Sequence, residues 1–266
     1  MILSHCNFYS KTLKNHVDVN VLLPSMADND HFFHELSEVY DKRSIPVLYL
    51  LHGALDDYTM WLRHTNIERY AESAGLAVVM PSGQNGFYSN ALYGLRYYDY
   101  ITEELPRFVE YTFPVARERS KRFVAGPSMG GYGASKCALG RPDRYAAFGD
   151  FSGAVDPGRL EPLMTKMGFG FFRYDLIFGG SDRVAGSRDD LKVLAGECRG
   201  RKEKPYAFVA CGEEDTNNYG MNRELYDTLK DCGFEAEFFG GHGLHDWEYW
   251  DRCVQAFIGR LREACL

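Results

Sequence analysis

Arg122–Ala134 reads R-F-V-A-G-P-S-M-G-G-Y-G-A. A short apolar run, Arg122–Ala125, enters Gly126-Pro127-Ser128-Met129-Gly130, and a helix-compatible stretch follows. This is G-x-S-x-G between a strand and a helix, a sharp turn that lifts a serine hydroxyl above the edge of a sheet. A side chain at either flanking position is expected to collide with neighbouring backbone, and glycine removes its Cβ. Gly131, Gly133 and Ala134 keep the next helix slim where it lies on the sheet. Without its context the pattern is only a glycine-rich turn. With a strand before it and a helix after it, Ser128 is the candidate nucleophile.

Working outward, strand-like and helix-like segments alternate. Val17–Leu23 alternates apolar and polar residues, as a half-exposed strand does, and residues 2–9 suit a hairpin partner. Pro46–Leu51 and Leu76–Met80 are continuous apolar runs, expected of strands buried on both faces. Arg122–Ala125, Ala146–Phe151, Tyr206–Cys211 and Ala236–Phe239 continue the series. Helices are expected over about 66–74, 100–112, 131–140, 220–232 and 247–262. In the last, Trp250, Cys253, Val254, Phe257, Ile258 and Leu261 form one apolar stripe opposite Arg252, Arg260 and Arg262. The alternation predicts an α/β fold, a mostly parallel central sheet flanked by helices, as a single domain over 1–266. The rhythm breaks at about 152–204, a cap-like insertion carrying Met164, Met167, Phe169, Phe171, Phe172, Tyr174, Ile177 and Phe178. It reads either as extra core on the domain's edge or as a wall over a ligand pocket.

A serine hydroxyl needs a base, and the base needs an acid to orient it. In sheets of this kind the two follow the serine in the order acid, then histidine. Of eight histidines only His242 and His245 follow Ser128, both in G-G-H-G-L-H-D-W-E-Y-W between the last strand and the last helix. His245 abuts the helix start at Asp246 and is the better fixed of the two; His242 is its rival. Asp215 in C-G-E-E-D-T-N-N, just after a strand, is the leading acid, with Glu213 and Glu214 as rivals and a solvated acidic turn as the plain alternative. An oxyanion needs N–H donors. Met129, after the nucleophile, supplies one, and L-L-H-G-A-L-D-D supplies the second from Ala54 or Leu55. His52 reads as a structural group bonding that loop. Leu55 and Trp61 are candidates for substrate contact, and for Trp61 a core position is the other reading.

The 266 residues carry 30 Lys plus Arg against 37 Asp plus Glu, a formal charge of −7. That balance argues against a nucleic-acid partner, since phosphates are neutralised by Lys and Arg. A chain this long buries roughly 70–75% of its unfolded surface, so no metal or disulfide is needed to hold it. Seven scattered cysteines, at 6, 137, 198, 211, 232, 253 and 265, with no C-x-x-C pair, suit reduced thiols and no zinc site. No basic, apolar leader opens the chain and no apolar run reaches about 18 residues. A soluble cytoplasmic protein with no membrane partner, no cofactor and no metal is expected.

The chain resembles the esterase D-like family of α/β-hydrolases, most closely its tributyrin-esterase (EstA) type, over nearly its whole length. The resemblance rests on N-F-Y-S-K-T-L at 7–13, V-N-V-L-L-P at 19–24, Y-L-L-H-G-A-L-D-D-Y-T-M-W at 49–61 and Y-G-L-R-Y-Y-D-Y-I-T-E-E-L at 93–105. It continues through the elbow at 126–134, I-F-G-G-S at 177–181, D-D-L at 189–191, C-G-E-E-D at 211–215 and H-D-W-E-Y-W-D at 245–251. It implies an α/β-hydrolase fold, Ser128 as nucleophile, Asp215 as acid, His245 as base, and an oxyanion hole at Met129 and the residue after His52-Gly53. Here His242-Gly-Leu-His245 stands where one histidine is typical. Such proteins hydrolyse short-chain acyl esters, and relatives act on acetylated or feruloylated plant polysaccharide or on S-formylglutathione. Relatives often assemble, so a homo-oligomer is within what the resemblance implies.

The expected function is a serine carboxylesterase acting on a small-molecule ester, with acetyl to butyryl groups, or an aromatic acid, in the pocket. A thioesterase such as S-formylglutathione hydrolase is the second reading, and a non-catalytic scaffold acting as a binding module the third.

Overall fold

The computed structural model describes residues 1–25, 35–41, 43–170 and 172–264; Phe171 and Cys265 lie outside the described residues. Eight strands form one sheet: β1 (Ile2–Ser10), β2 (Asn15–Leu23), β3 (Val47–Leu50), β4 (Ala77–Pro81), β5 (Arg122–Pro127), β6 (Ala147–Phe151), β7 (Tyr206–Ala210) and β8 (Ala236–Phe239). Their order across the sheet is β1-β2-β4-β3-β5-β6-β7-β8. β1 and β2 are an antiparallel hairpin with Ile2 opposite Leu23, and β2 meets β4 antiparallel. From β4 through β8 every pairing is parallel. The expected parallel sheet is present, with helices on both faces: this is the α/β-hydrolase arrangement.

Side-chain alternation along each strand divides the core in two. Val47, Tyr49, Leu51, Val79, Val124 and Phe148 face one layer, while Leu48, Leu50, Val78, Met80, Phe123 and Phe151 face the other. The helices are α1 (Leu36–Tyr40), α2 (Met60–His64), α3 (Ile67–Ala74), α4 (Tyr97–Asp99), α5 (Leu105–Thr112), α6 (Met129–Gly140), α7 (Pro157–Lys166), α8 (Tyr174–Phe178), α9 (Leu191–Glu197), α10 (Tyr219–Asp231) and α11 (Trp247–Ala264). Residues of α6, α9 and α10 pack in the first layer; residues of α2, α3 and α11 pack in the second. The stripe read on α11 is buried from Trp250 to Leu261.

The stretch expected as one helix over 100–112 is interrupted. A π turn at Tyr100–Glu104 joins α4 to α5. Pro106 has no N–H to give the Thr102 carbonyl, and its ring crowds that carbonyl, so the backbone widens. Arg144 takes up the freed oxygen, donating from Nη1 at 2.9 Å.

Between β6 and β7 the expected insertion contains α7, α8 and α9 and, among the described residues, no strand. Leu160, Phe172, Tyr174, Ile177 and Phe178 join the first core layer. The insertion is thus core and cavity wall at once, since Leu160, Phe172 and Tyr174 belong to both. No helix among the described residues is long and apolar enough to cross a membrane.

Candidate active site

Ser128 sits at the end of β5 with φ 52° and ψ −118°, outside the regions an L-residue prefers. Its neighbours enforce the turn. A Cβ on Gly126 would stand 2.7 Å from the Gly130 carbonyl carbon, and one on Gly130 would stand 2.7 Å from the His52 carbonyl oxygen. The flanking collisions anticipated from G-x-S-x-G are real. Backbone bonds hold the serine from both sides: its N–H donates to Phe151 O at 2.9 Å, and its carbonyl accepts from Ala154 N–H at 2.9 Å.

Three of the residues singled out from sequence meet here. His245 Nε2 is 3.0 Å from Ser128 Oγ, and His245 Nδ1 is 2.7 Å from Asp215 Oδ2. Asp215 is 4% exposed, in the turn between β7 and α10. Burial acts to raise its pKa, but hydrogen bonds with His245 and Asn218 outweigh it and hold the carboxyl below its ordinary value. Asn218 Nδ2 donates to Oδ1 at 2.9 Å and reaches Oδ2 at 3.3 Å. The Trp250 ring stands edge-on to the imidazole, centroids 5.0 Å apart.

The rivals lie elsewhere. His242 turns to the surface and pairs with Glu214, whose other oxygen accepts the Gly243 N–H at 2.6 Å. Glu213 is exposed, its N–H bonded to Gly241 O at 2.9 Å. His52 is a loop brace, as read. Its Nδ1 donates to Gly53 O at 2.6 Å and its Nε2 accepts from Gly83 N–H at 2.8 Å, the neutral tautomer. Burial lowers its pKa to about 4, which keeps that form.

A largely apolar cavity of about 280 Å³ opens at Ser128, lined by Ala54, Met129 and His245 on the sheet side and by Leu160, Met164, Phe169 and Tyr174 from the insertion. Among the described residues, the N–H groups of Ala54 and Met129 take part in no hydrogen bond. Met129 opens α6, where N–H groups lack intrahelical acceptors. The N–H of Leu55 is different: it donates to Asn85 Oδ1 at 2.8 Å, which leaves Ala54 as the donor of that loop. Leu55 itself is exposed and lines a neighbouring open groove of about 620 Å³, with Asp56, Gln84, Asn85, Tyr93 and Arg173.

Trp61 is a correction. It is 1% exposed within the α2–α3–α11 layer, its Nε1–H donating to Leu51 O at 2.7 Å, so it is core and not pocket lining. Asn218, Phe87 and Ala154 are site residues that the sequence reading missed. Asn218 had a signal, since it lies three residues beyond Asp215 in the same polar run; the others had none. Among the described residues no three His, Cys, Asp or Glu side chains gather as a metal-binding group.

Residues 10–262 match the family described as "Putative esterase". The chain belongs to that esterase family. It is 28% identical to an acetyl esterase of Caldicellulosiruptor saccharolyticus over 259 residues, 96% of each chain. Among solved structures it is similar to the fluorophosphonate-binding serine hydrolase FphF of Staphylococcus aureus, at 31% identity, TM-score 0.85 and 98% of each chain. The S-formylglutathione hydrolase FrmB of the same organism matches at 31% identity and TM-score 0.83, again over 98% of each chain. With these relatives, this esterase-family protein is a carboxylic ester hydrolase.

Proposed function

We propose that the protein is a single-domain serine carboxylesterase for short-chain acyl esters, acetyl to butyryl, of the tributyrin-esterase type. The observation that carries the reading is the line Ser128 Oγ to His245 Nε2 to Asp215, at 3.0 and 2.7 Å, opening into an apolar cavity. Ser128 Oγ attacks the ester carbonyl as His245 Nε2 takes its proton. The developing oxyanion accepts hydrogen bonds from the N–H groups of Ala54 and Met129; such a donor typically contributes about 10²–10³ in rate. The protonated Nε2 returns its proton to the departing alcohol oxygen, leaving an acyl ester on Ser128. Water, deprotonated by Nε2, attacks that ester, and the acid departs as Ser128 recovers its proton. Asp215 stays ionised throughout and accepts from Nδ1–H.

Acetyl or feruloyl esters of plant-derived saccharides are the natural substrates this reading favours. The similarity to FrmB favours a second reading, S-formylglutathione hydrolysis. The open groove weighs against it. Arg173 donates from Nε and Nη2 to the two oxygens of Asp175, at 2.8 and 2.7 Å, and Asp56 adds a carboxyl. Among the described residues that line it, a tripeptide thioester with two carboxylates finds no cation free of a carboxylate partner, while a neutral polyol meets amides and the Tyr93 ring.

The test is hydrolysis of p-nitrophenyl acetate, butyrate, octanoate and ferulate, and of S-formylglutathione, by wild type and Ser128→Ala. The expected rate peaks at acetate or butyrate and falls at least about 10⁴-fold in the variant. Rates climbing steadily from acetate through butyrate to octanoate refute the short pocket. A larger kcat/KM on the thioester moves the protein to the second reading.

A further inference from the structure

Asn222 lies on α10, fully buried, and lines neither the cavity nor the groove. Its amide behaves like a piece of backbone. Oδ1 accepts from Gly153 N–H at 3.2 Å, and Nδ2 donates to Gly153 O at 2.9 Å, a reciprocal pair with the backbone of one residue. The second N–H of Nδ2 reaches Asn218 O at 3.0 Å. All its hydrogen-bonding groups are thus engaged on two residues that the site depends on.

Both contacts lead to the reacting line. On one side, the residue after Gly153 donates its N–H to Ser128 O, and Ser128 N–H is held by Phe151. On the other, Asn218 carries the amide that grips both oxygens of Asp215, and the Asp215 carbonyl accepts the Asn218 N–H at 3.1 Å. The proposed nucleophile and acid follow different strands, β5 and β7, and Asn222 ties the loop behind the first to the turn behind the second.

We infer that Asn222 is a positioning residue that sets the distance between the serine turn and the acid turn, and so the fit of His245 between them. This rests on the reading of Ser128, His245 and Asp215 as the reacting line. Only an amide of this length satisfies it. A carboxylate presents acceptors to the Gly153 carbonyl, glutamine is one methylene too long, and leucine of similar shape leaves a buried N–H and C=O unpaired.

The experiment compares Asn222→Leu and Asn222→Thr with Leu229→Ala, which empties a buried site on the same helix without touching either contact. Steady-state kinetics on p-nitrophenyl butyrate and thermal melting are measured for all three. Asn222→Leu is expected to lower kcat roughly 10- to 100-fold, because small misalignments of reacting groups carry that cost. KM should stay within about threefold, since the cavity wall is untouched. Asn222→Thr, keeping one polar atom in a similar volume, should fall between, and Leu229→Ala should lose stability while keeping kcat. If Asn222→Leu keeps kcat within twofold, or Leu229→Ala loses as much, the inference is overturned. Should Asn222→Leu fail to fold, Asn222→Thr decides: an unchanged kcat in the folded variant sinks the proposal. Wild-type hydrolysis that survives in Ser128→Ala would instead sink the reading of the reacting line itself.

Discussion

The turn around Ser128 and the insertion between β6 and β7 face each other across one cavity and are built on opposite principles. From Arg122 to Leu139 every residue but Ser128 is buried, and contacts are close enough that glycine is required at 126 and 130. The insertion has no helix longer than the ten residues of α7, and among the described residues it holds five of the eight glycines with positive φ: 168, 179, 180, 186 and 200. It meets the cavity with Met164 and Met167, flexible side chains that fill irregular shapes. It is also fastened to the rigid part. Lys136 of α6, buried, pairs with Asp189 and bonds Ser89 Oγ at 2.6 Å, while Tyr132 Oη donates to Asp189 O at 2.8 Å. A tightly packed turn beneath the proposed nucleophile and an adaptable wall over the cavity are different demands, met by different stretches of chain.

The strongest way to break this comparison is to loosen the rigid half. Gly130→Ala forces a Cβ against the His52 carbonyl, moving α6 off the strand that carries the Ala54 loop. Activity is expected to fall about 100-fold, with stability down by about 1–3 kcal/mol, read by ester hydrolysis and urea unfolding. Wild-type activity in this variant would mean the close contact is not needed. A smaller effect should come from the adaptable half. Met164→Ala deepens the cavity, and the ratio of kcat/KM for octanoate over butyrate should rise roughly 3- to 10-fold with the melting temperature nearly unchanged. An unaltered ratio would remove the insertion from chain-length selection.

The smallest expected effect concerns the rear of the serine turn. Asp150 of β6 is fully buried; burial raises its carboxyl to about 7, against a weaker opposing bond from Ser135 Oγ at 3.2 Å. The unfolded carboxyl titrates near 3.9. Between those values the folded protein binds the extra proton, so stability falls as pH rises through the window, and the loss is complete above it. Asp150→Asn removes this slope, and its melting temperature should exceed wild type by a few degrees at pH 8 and by less at pH 5. Parallel melting curves across pH would show that the carboxyl does not titrate there.

Much of this was legible in the residues. Strands buried on both faces appear as unbroken apolar runs, and α10 and α11 repeat at helical spacing. The proposed reacting line was assembled from chain order and turn context, and its three side chains lie within hydrogen-bond distance although His245 is 117 residues from Ser128 and 30 from Asp215. What stayed hidden has identifiable causes. α2 has five residues, too few to display a phase, so nothing revealed which way Trp61 turns. Leu55 and Ala54 are equivalent donors until the Asn85 side chain is known to face one of them. Asn222 sits among Met221, Leu225 and Leu229 on the buried side of α10, so an amide on an apolar stripe was a signal in plain view. Its meaning needed the loop at Gly153 to be placed beside it.

The ring of Tyr88 has a consequence for how this sequence can drift. Its hydroxyl accepts from His52 N–H at 3.0 Å and donates to His52 O at 2.9 Å. The ring fills the space where a Cβ on Gly83 would approach to 2.3 Å and one on Gly133 to 2.4 Å. Positions 83, 88 and 133 are therefore one inherited unit. Neither glycine can accept a side chain while the tyrosine remains, and replacing the tyrosine first takes its hydroxyl away from the His52 N–H and C=O. Among diverging descendants the three should change together or not at all.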